Sequence, residues 1–324
     1  MTIHPTRPEA AGADAPKGIL VLSSPLPSAP FASALRRAAP DIPVWTEGDA
    51  PAPEQVEAIL AWRMDPGTLQ RFPHLRLLCS TGAGVDKLLV DDLPADLPVT
   101  RVVDPGQGRE MAQYVLGCLL AHTRGLGLYA KQQSRSEWRR HPVRPASTCR
   151  VGIMGLGEVG QAIARAIHPL GYPVNGWSRR PRSQAGVSTF AGEDGLAPFL
   201  AQSDILVCTL PLTADTRGLL NHRTLAQLPQ GAFVVNIGRG EHVVEADLRD
   251  LLDSGHLAGA ALDVFEQEPV PPDHWVWSHP KVTATPHIAA QASFDVVATQ
   301  CVAALHSVRQ GRRPELAIDR GAGY

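Results

Sequence analysis

Along most of this chain, short apolar runs rich in β-branched residues alternate with stretches whose apolar positions recur every three or four residues. GILVLS from Gly18, PVWT from Pro43, EAILAW from Glu57, LRLLCS from Leu75 and PVTRVV from Pro98 read as strands, and FASALRRAA from Phe31 reads as a helix. Strands that alternate with helical stretches imply parallel pairing through crossover connections. From Gln107 to about Arg124 there is no proline, and Met111, Tyr114, Val115, Cys118 and Leu119 fall at spacings of three and four, which predicts one longer helix. A second series opens at Arg150: RVGIMG, PVNGWS, DILVCTL, AFVVNIG, AGAALDVF and KVTAT predict six strands, with helices from Glu158 to about Leu170 and from Glu245 to Ser254. After Ala290, Val296, Val297, Val302, Leu305 and Val308 mark a last helix, expected to return to the first domain. The pattern predicts an α/β protein of two parallel-sheet domains, one over 17–106 and 291–324 and the other over 107–290, without an internal repeat.

Composition narrows the class. A length of 324 residues suits two domains, and 44% apolar with 19% charged residues is usual for a globular protein. Residues 1–16 hold three prolines and almost no bulky apolar side chain, so a disordered tail is expected there. Thirty Lys and Arg against 32 Asp and Glu leave a net charge of -2, which gives no global reason to bind nucleic acid. No uncharged apolar run approaches the roughly 18 residues of a spanning helix, and the start lacks a basic segment followed by an apolar one. A cytoplasmic protein without a membrane partner is expected. The five cysteines, Cys79, Cys118, Cys149, Cys208 and Cys301, are scattered and never form C-x-x-C, and the histidines form no H-E-x-x-H pair. Neither a disulfide framework nor a metal site is expected.

The strongest local signal is Gly155, Gly157 and Gly160 in VGIMGLGEVG, a G-x-G-x-x-G that follows a predicted strand and opens a predicted helix. In that setting the first glycine permits a tight turn, the second lets backbone approach a pyrophosphate, and the third allows close packing of helix on strand. A dinucleotide site follows. The next strand ends in WSRR, where an NAD site usually carries Asp or Glu for the ribose hydroxyls. Here Ser178 takes that place with Arg179 and Arg180 behind it, so NADP is expected over NAD: no carboxylate repels a 2′-phosphate, and guanidinium groups bind phosphate through forked hydrogen bonds.

Three later segments fall where strand ends should meet the ligand: NIGRG with Arg239, DVFEQEP with Asp263 and Glu268, and TPH with His287. Alone, these would be a surface arginine, a solvated acidic loop and a histidine after a proline turn. Together they supply an anion anchor, a partner for imidazole and a proton carrier, as hydride transfer to a carbonyl requires.

GLGEVG, PLTADTRGLLN, NIGRG, LDVFEQEP and TPHIA, in this order, resemble the D-2-hydroxyacid dehydrogenase family. WSRR, with HPxV before TPHIAA, is most similar to its glyoxylate/hydroxypyruvate reductase A-like branch. The resemblance is dense from about Leu75 to Ala290. It implies two Rossmann-like domains with a cleft between them, the first discontinuous and substrate-binding, the second dinucleotide-binding, in a homodimer. It further implies that Arg239 binds the substrate's carboxylate and carbonyl, that His287 is the general acid or base, and that Glu268 holds His287 protonated. Asp263 would contact the nicotinamide amide. Leu156, Glu158 and Val159 between the glycines, with Leu210, Pro211, Thr216, Ile237 and Gly238, would contact the cofactor. In STGAGVDKL, backbone N–H groups of Ala83 and Gly84 would cradle the substrate carboxylate at a helix start, and Trp62 would wall the pocket. The chain departs from the family at Gln113, where a glutamate is common, and at Gly238, where serine or alanine is common.

The activity implied is NADPH-dependent reduction of small 2-oxo acids to D-2-hydroxy acids. The alternative is a non-catalytic module that senses the dinucleotide on the same fold. A repurposed site would be expected to lose a catalytic residue, whereas Arg239, Glu268 and His287 are all present.

Overall fold

The computed structural model describes residues 16–319, so the expected tail over 1–16 lies, apart from Pro16, outside the described residues. They form two compact units, 16–104 with 292–319, and 105–291.

The first unit is built on five parallel strands: β1 (Gly18–Leu22), β2 (Val44–Thr46), β3 (Val56–Ala61), β4 (Leu77–Ser80) and β5 (Val99–Thr100), in spatial order β2-β1-β3-β4-β5. Strand side chains alternate between faces. Ile19, Val21, Leu60 and Leu77 bury one face under the helices Ser28–Ala38 and Phe294–Arg309, while Leu20, Ile59 and Leu78 bury the other with Met64 and Leu88. The C-terminal helix is thus part of this core: Val297, Val302, Leu305 and Val308 are buried there, and Phe294 meets Phe31 edge-on at 4.8 Å. Arg309 pairs with the buried carboxylate of Glu57.

The second unit carries seven parallel strands, β6 (Val151–Met154), β7 (Val174–Ser178), β8 (Val187–Ala191), β9 (Ile205–Cys208), β10 (Ala232–Asn236), β11 (Leu257–Leu262) and β12 (Val282–Ala284), in spatial order β12-β11-β10-β9-β6-β7-β8. Six strands were expected. The seventh, β8, lies at the sheet edge with Ser188 and Thr189 exposed, so it buries too little to leave an apolar signature. The helix from Gln107 ends at Thr123, and Gly125 at φ 66° turns the chain into an unanticipated helix, Leu126–Gln133. Glu158–Ile167 ends in a 3-10 turn, His168–Leu170. Ile153, Val207 and Val235 pack beneath Val115, Leu119 and Ile163 on one face; Met154, Leu206 and Val234 pack against Leu248, Leu251 and Leu252 on the other. Strand order reverses between β6 and β9, and such a switch point opens a ligand crevice at the carboxyl ends of the strands.

Among the described residues, no helix is long and apolar enough to cross a membrane.

Candidate active site

The glycine loop sits at that switch point. Gly155, directly after β6, has φ 108°, and a Cβ there would lie 2.7 Å from Thr209 Oγ1 at the end of β9. Its N–H donates to Trp177 and its carbonyl accepts from Thr209 Oγ1 at 2.9 Å, so the neighbouring strand ends brace the turn. A Cβ on Gly160 would meet the Gly155 carbonyl at 1.8 Å, whereas one on Gly157 would meet nothing within 4 Å. The helix Glu158–Ile167 therefore starts hard against the turn while Gly157 and Glu158 stay exposed above it. Leu156 is buried and Val159 half-buried. An open glycine at the first turn of a helix fits a pyrophosphate, which accepts from backbone N–H groups there.

At the end of β7, Ser178 is buried and its hydroxyl donates to the Arg180 carbonyl at 2.7 Å, leaving Arg179 and Arg180 exposed. Arg179 approaches Asp215 at 3.7 Å, an exposed pair in the loop after β9. That loop is closed by Thr216, whose hydroxyl donates to the Pro211 carbonyl at 2.7 Å and accepts from Thr213 N–H at 2.8 Å. Leu210 is buried and Pro211 exposed.

Beyond β10, with Ile237 and Gly238 buried, Arg239 is half-buried. Asn236 donates from Nδ2 to the Arg239 carbonyl at 2.8 Å and accepts from Gly238 N–H at 3.1 Å. Arg239 N–H donates to His242 Nδ1 at 3.0 Å, and His242 Nε2 faces the Pro211 carbonyl at 3.3 Å. Both Asn236 and His242 are fully buried. Gly240 admits no side chain, because a Cβ would fall 1.8 Å from the Phe265 carbonyl carbon. The arginine turn is thereby pressed onto the loop that carries Glu268.

His287 Nδ1 lies 3.1 and 3.2 Å from the two carboxylate oxygens of Glu268, with the side chains 23% and 15% exposed. Glu268 also accepts Phe265 N–H at 3.1 Å. His287 adopts φ 56°, an uncommon conformation for a residue with a side chain. Asp263, 1% exposed, holds the backbone in place around it. Its carbonyl accepts His287 N–H at 2.8 Å; its carboxylate accepts Ile288 N–H at 2.8 Å, Ala289 N–H at 2.7 Å and the Thr285 hydroxyl at 2.6 Å. Since Thr285 donates to Asp263, Tyr114 must be the donor in its 2.7 Å bond to Thr285, and burial pushes the Tyr114 phenol up from its ordinary range, consistent with a neutral donor. Gln113 is exposed one residue earlier on that helix.

In the first unit, Trp62 follows β3, is half-buried, and carries the Lys87 ammonium 5.6 Å from its ring centroid. The helix start expected beside Ala83 and Gly84 is absent: only a three-residue 3-10 turn, Asp86–Leu88, follows. Ser80 instead shapes the loop, donating to the Gly84 carbonyl at 2.8 Å and accepting Gly82 N–H at 3.1 Å, because a strand end followed at once by glycines is satisfied by the nearest hydroxyl. The helix-dipole part of the expectation falls, while the N–H groups of Ala83 and Gly84 make no hydrogen bond among the described residues.

Sequence reasoning missed Asn236, His242, Thr209, Thr285 and Tyr114. Each acts through side-chain hydrogen bonds, which periodicity does not register. The sole cue was a histidine three residues after Arg239 in a glycine-flanked turn. The five cysteines are all free, four of them buried, and burial pushes the Cys118, Cys149 and Cys208 thiols up, against any role as nucleophiles.

A switch-point glycine turn and a carboxylate–imidazole pair, both at the carboxyl ends of one parallel sheet, define a dinucleotide-binding α/β oxidoreductase. Residues 116–289 match the family described as D-isomer specific 2-hydroxyacid dehydrogenase, NAD binding domain, and the chain belongs to that family. It is 35% identical over 286 residues to a glyoxylate/hydroxypyruvate reductase A of Yersinia enterocolitica, across 86% of this chain and 90% of that one. A D-isomer specific 2-hydroxyacid dehydrogenase from Xanthobacter autotrophicus Py2, solved with NADPH and MES, is 40% identical with TM-score 0.85, covering 96% of this chain and 100% of that one. An NADPH-dependent glyoxylate/hydroxypyruvate reductase from Sinorhizobium meliloti, solved with NADP and sulfate, is 34% identical with TM-score 0.87, covering 95% and 100%.

Proposed function

We propose that the protein reduces small 2-oxo acids of the glyoxylate and hydroxypyruvate type to D-2-hydroxy acids with NADPH. The observation that carries this reading is the Glu268–His287 pair, 3.1 Å apart on a backbone held by Asp263. The relatives named for glyoxylate and hydroxypyruvate, and the NADP and NADPH bound in the solved ones, point to the same chemistry.

NADP fits the residues present. Gly155, Leu156, Gly157, Glu158, Val159 and Gly160 would hold the pyrophosphate; Ser178, Arg179 and Arg180 would face the 2′-phosphate, with no carboxylate at the end of β7 to repel it. Leu210, Pro211, Thr216, Ile237 and Gly238 would line the cofactor cleft. Asp263 Oδ2 accepts one bond where a carboxylate oxygen can take two, which leaves an acceptor for the nicotinamide amide. When bound, NADPH supplies the hydride for the carbonyl carbon.

Arg239 anchors the substrate carboxylate and carbonyl oxygen. On the first unit, the N–H groups of Ala83 and Gly84 would cradle a carboxylate and Trp62 would wall a pocket. As the carbonyl oxygen gains negative charge it needs a proton. His287 gives it from Nε2, while Nδ1–H donates to Glu268, which fixes the ring's orientation. Both ring nitrogens thereby have defined tasks.

The partner proposed for the assembled enzyme is a second copy of the chain. Trp138 is 99% exposed, and Leu126, Leu128 and Val143 of the same unit are also exposed. Sedimentation at several concentrations tests the homodimer.

The activity is tested by the loss of NADPH absorbance on adding glyoxylate, hydroxypyruvate, pyruvate or phenylpyruvate, repeated with NADH. Turnover is expected with the first two. NADPH binding without oxidation by any of the four would favour the sensing module instead.

A further inference from the structure

Between the exits of β9 and β10 lies a fully buried histidine to which the reaction assigns nothing. His242 closes the 3-10 turn Gly240–His242, and its ring joins two segments far apart in sequence. Nδ1 accepts Arg239 N–H at 3.0 Å, so Nδ1 carries no proton and the ring proton sits on Nε2, which faces the Pro211 carbonyl at 3.3 Å. Gly238 leaves the ring its space, since a Cβ there would come 2.9 Å from Nδ1. With Asn236 Nδ2 on the Arg239 carbonyl, both backbone polar groups of Arg239 are held by buried side chains. The guanidinium is tied to the same turn, NH1 donating to the Gly238 carbonyl at 2.8 Å, so the turn sets where the side chain starts and how it leaves.

We propose that His242 is a positioning residue with two separable duties: through Nδ1 it orients Arg239 toward the substrate, and through Nε2–H it holds the Pro211 wall of the cofactor cleft. A buried acceptor placed by a rigid ring fixes the backbone of the anchoring arginine, and a displacement of about 1 Å in such an anchor can cost on the order of a hundredfold in rate. The inference rests on the proposed role of Arg239.

The test separates the two nitrogens. In His242→Asn the amide oxygen falls near Nδ1 and keeps the acceptor for Arg239 N–H, while nothing reaches Pro211. In His242→Gln the longer side chain places an N–H near Nε2 and loses the acceptor. His242→Asn should keep the parent KM for glyoxylate and weaken NADPH binding, measured by fluorescence titration without substrate. His242→Gln should keep the parent NADPH Kd and raise KM for glyoxylate by about tenfold, the worth of one hydrogen bond. Equal losses in both variants, or none in either, would overturn the proposal. Arg239→Ala is the control for the underlying reading: if it leaves KM unchanged, the role of Arg239 falls, whatever His242 does. Independently of any variant that fails to fold, ¹⁵N-histidine spectra of the parent should show His242 as the neutral Nε2–H tautomer with and without NADPH. A Nδ1–H tautomer or an imidazolium would equally overturn it.

Discussion

At the scale of single residues, the proposed function concentrates on a few polar groups with buried hydrogen-bond partners. His287→Ala removes the proposed acid, so kcat for reduction should fall about a hundredfold to ten-thousandfold while the NADPH Kd stays near the parent value. Stopped-flow turnover with a parallel titration measures both, and near-parent turnover would remove His287 from the mechanism. Glu268→Gln keeps an acceptor for Nδ1–H but turns a charge-assisted hydrogen bond into a neutral one, so kcat for reduction should fall about tenfold with the NADPH Kd near the parent value. Parent turnover in that variant would deny Glu268 a part in holding the ring. For the cofactor, replacing Ser178 by Asp together with Arg179→Ala and Arg180→Ala should shift the ratio of kcat/KM from NADPH toward NADH, since a carboxylate then repels the phosphate and no guanidinium attracts it. The exposed side chains make the parent's preference salt-sensitive as well, over a screening length of about 8 Å. A ratio that does not move would leave Arg179 with only its partner Asp215.

At the scale of elements, the sheet of the second unit is pinned at both ends of its switch point. At the carboxyl end Thr209 braces the glycine turn; at the amino end Asp204, just before β9, accepts Arg150 N–H at 2.8 Å and Arg150 Nε at 2.9 Å, beside Arg144 at 3.1 Å. Burial pushes the Asp204 carboxyl up, but the hydrogen bonds and charge of Arg150 outweigh it and hold the group below its ordinary value. A carboxylate depressed in the folded state contributes stability above its unfolded value of about 3.9, and loses that contribution as pH falls through the folded one. Asp204→Asn should therefore cost about 1–2 kcal/mol near neutral pH, discounted because Arg150 is 36% exposed. The difference in Tm between parent and variant should close below about pH 4. A constant gap down to pH 2 would show packing rather than charge at this corner.

At the scale of the molecule, the chain leaves its first unit at 104 and comes back at 292 to finish it. Among the described residues, one face of the five-stranded sheet is covered by two helices, and the second is the last of them in sequence. Leu305 is fully buried in that contact, so Leu305→Ala should destabilise the first unit by about 2–5 kcal/mol. Every residue proposed to hold NADP lies within 105–291, so NADPH affinity well below the unfolding transition should match the parent. Differential scanning calorimetry and fluorescence titration check the two halves of this expectation, and a joint loss would show that the units do not unfold independently.

The amino-acid sequence by itself determined the parallel α/β architecture, since runs such as ILVC and AFVVN bury as strands wherever helices cover both faces. It also determined the glycine turn, whose spacing follows from backbone geometry, and the family, carried by GLGEVG, NIGRG, LDVFEQEP and TPHIA in that order. The edge strand β8 escaped because an exposed strand needs no apolar code, and the helix at Gly84 was wrongly expected because a strand end with glycines reads like a helix start whether or not a helix follows. What only the tertiary structure decided was which polar groups meet. Glu268 reaches His287 across 19 positions and Asp263 reaches Ala289 across 26, while His242 spans 31 to Pro211. Such bonds depend on strand ends brought side by side by sheet order, and no local period encodes which loop will lie beside which.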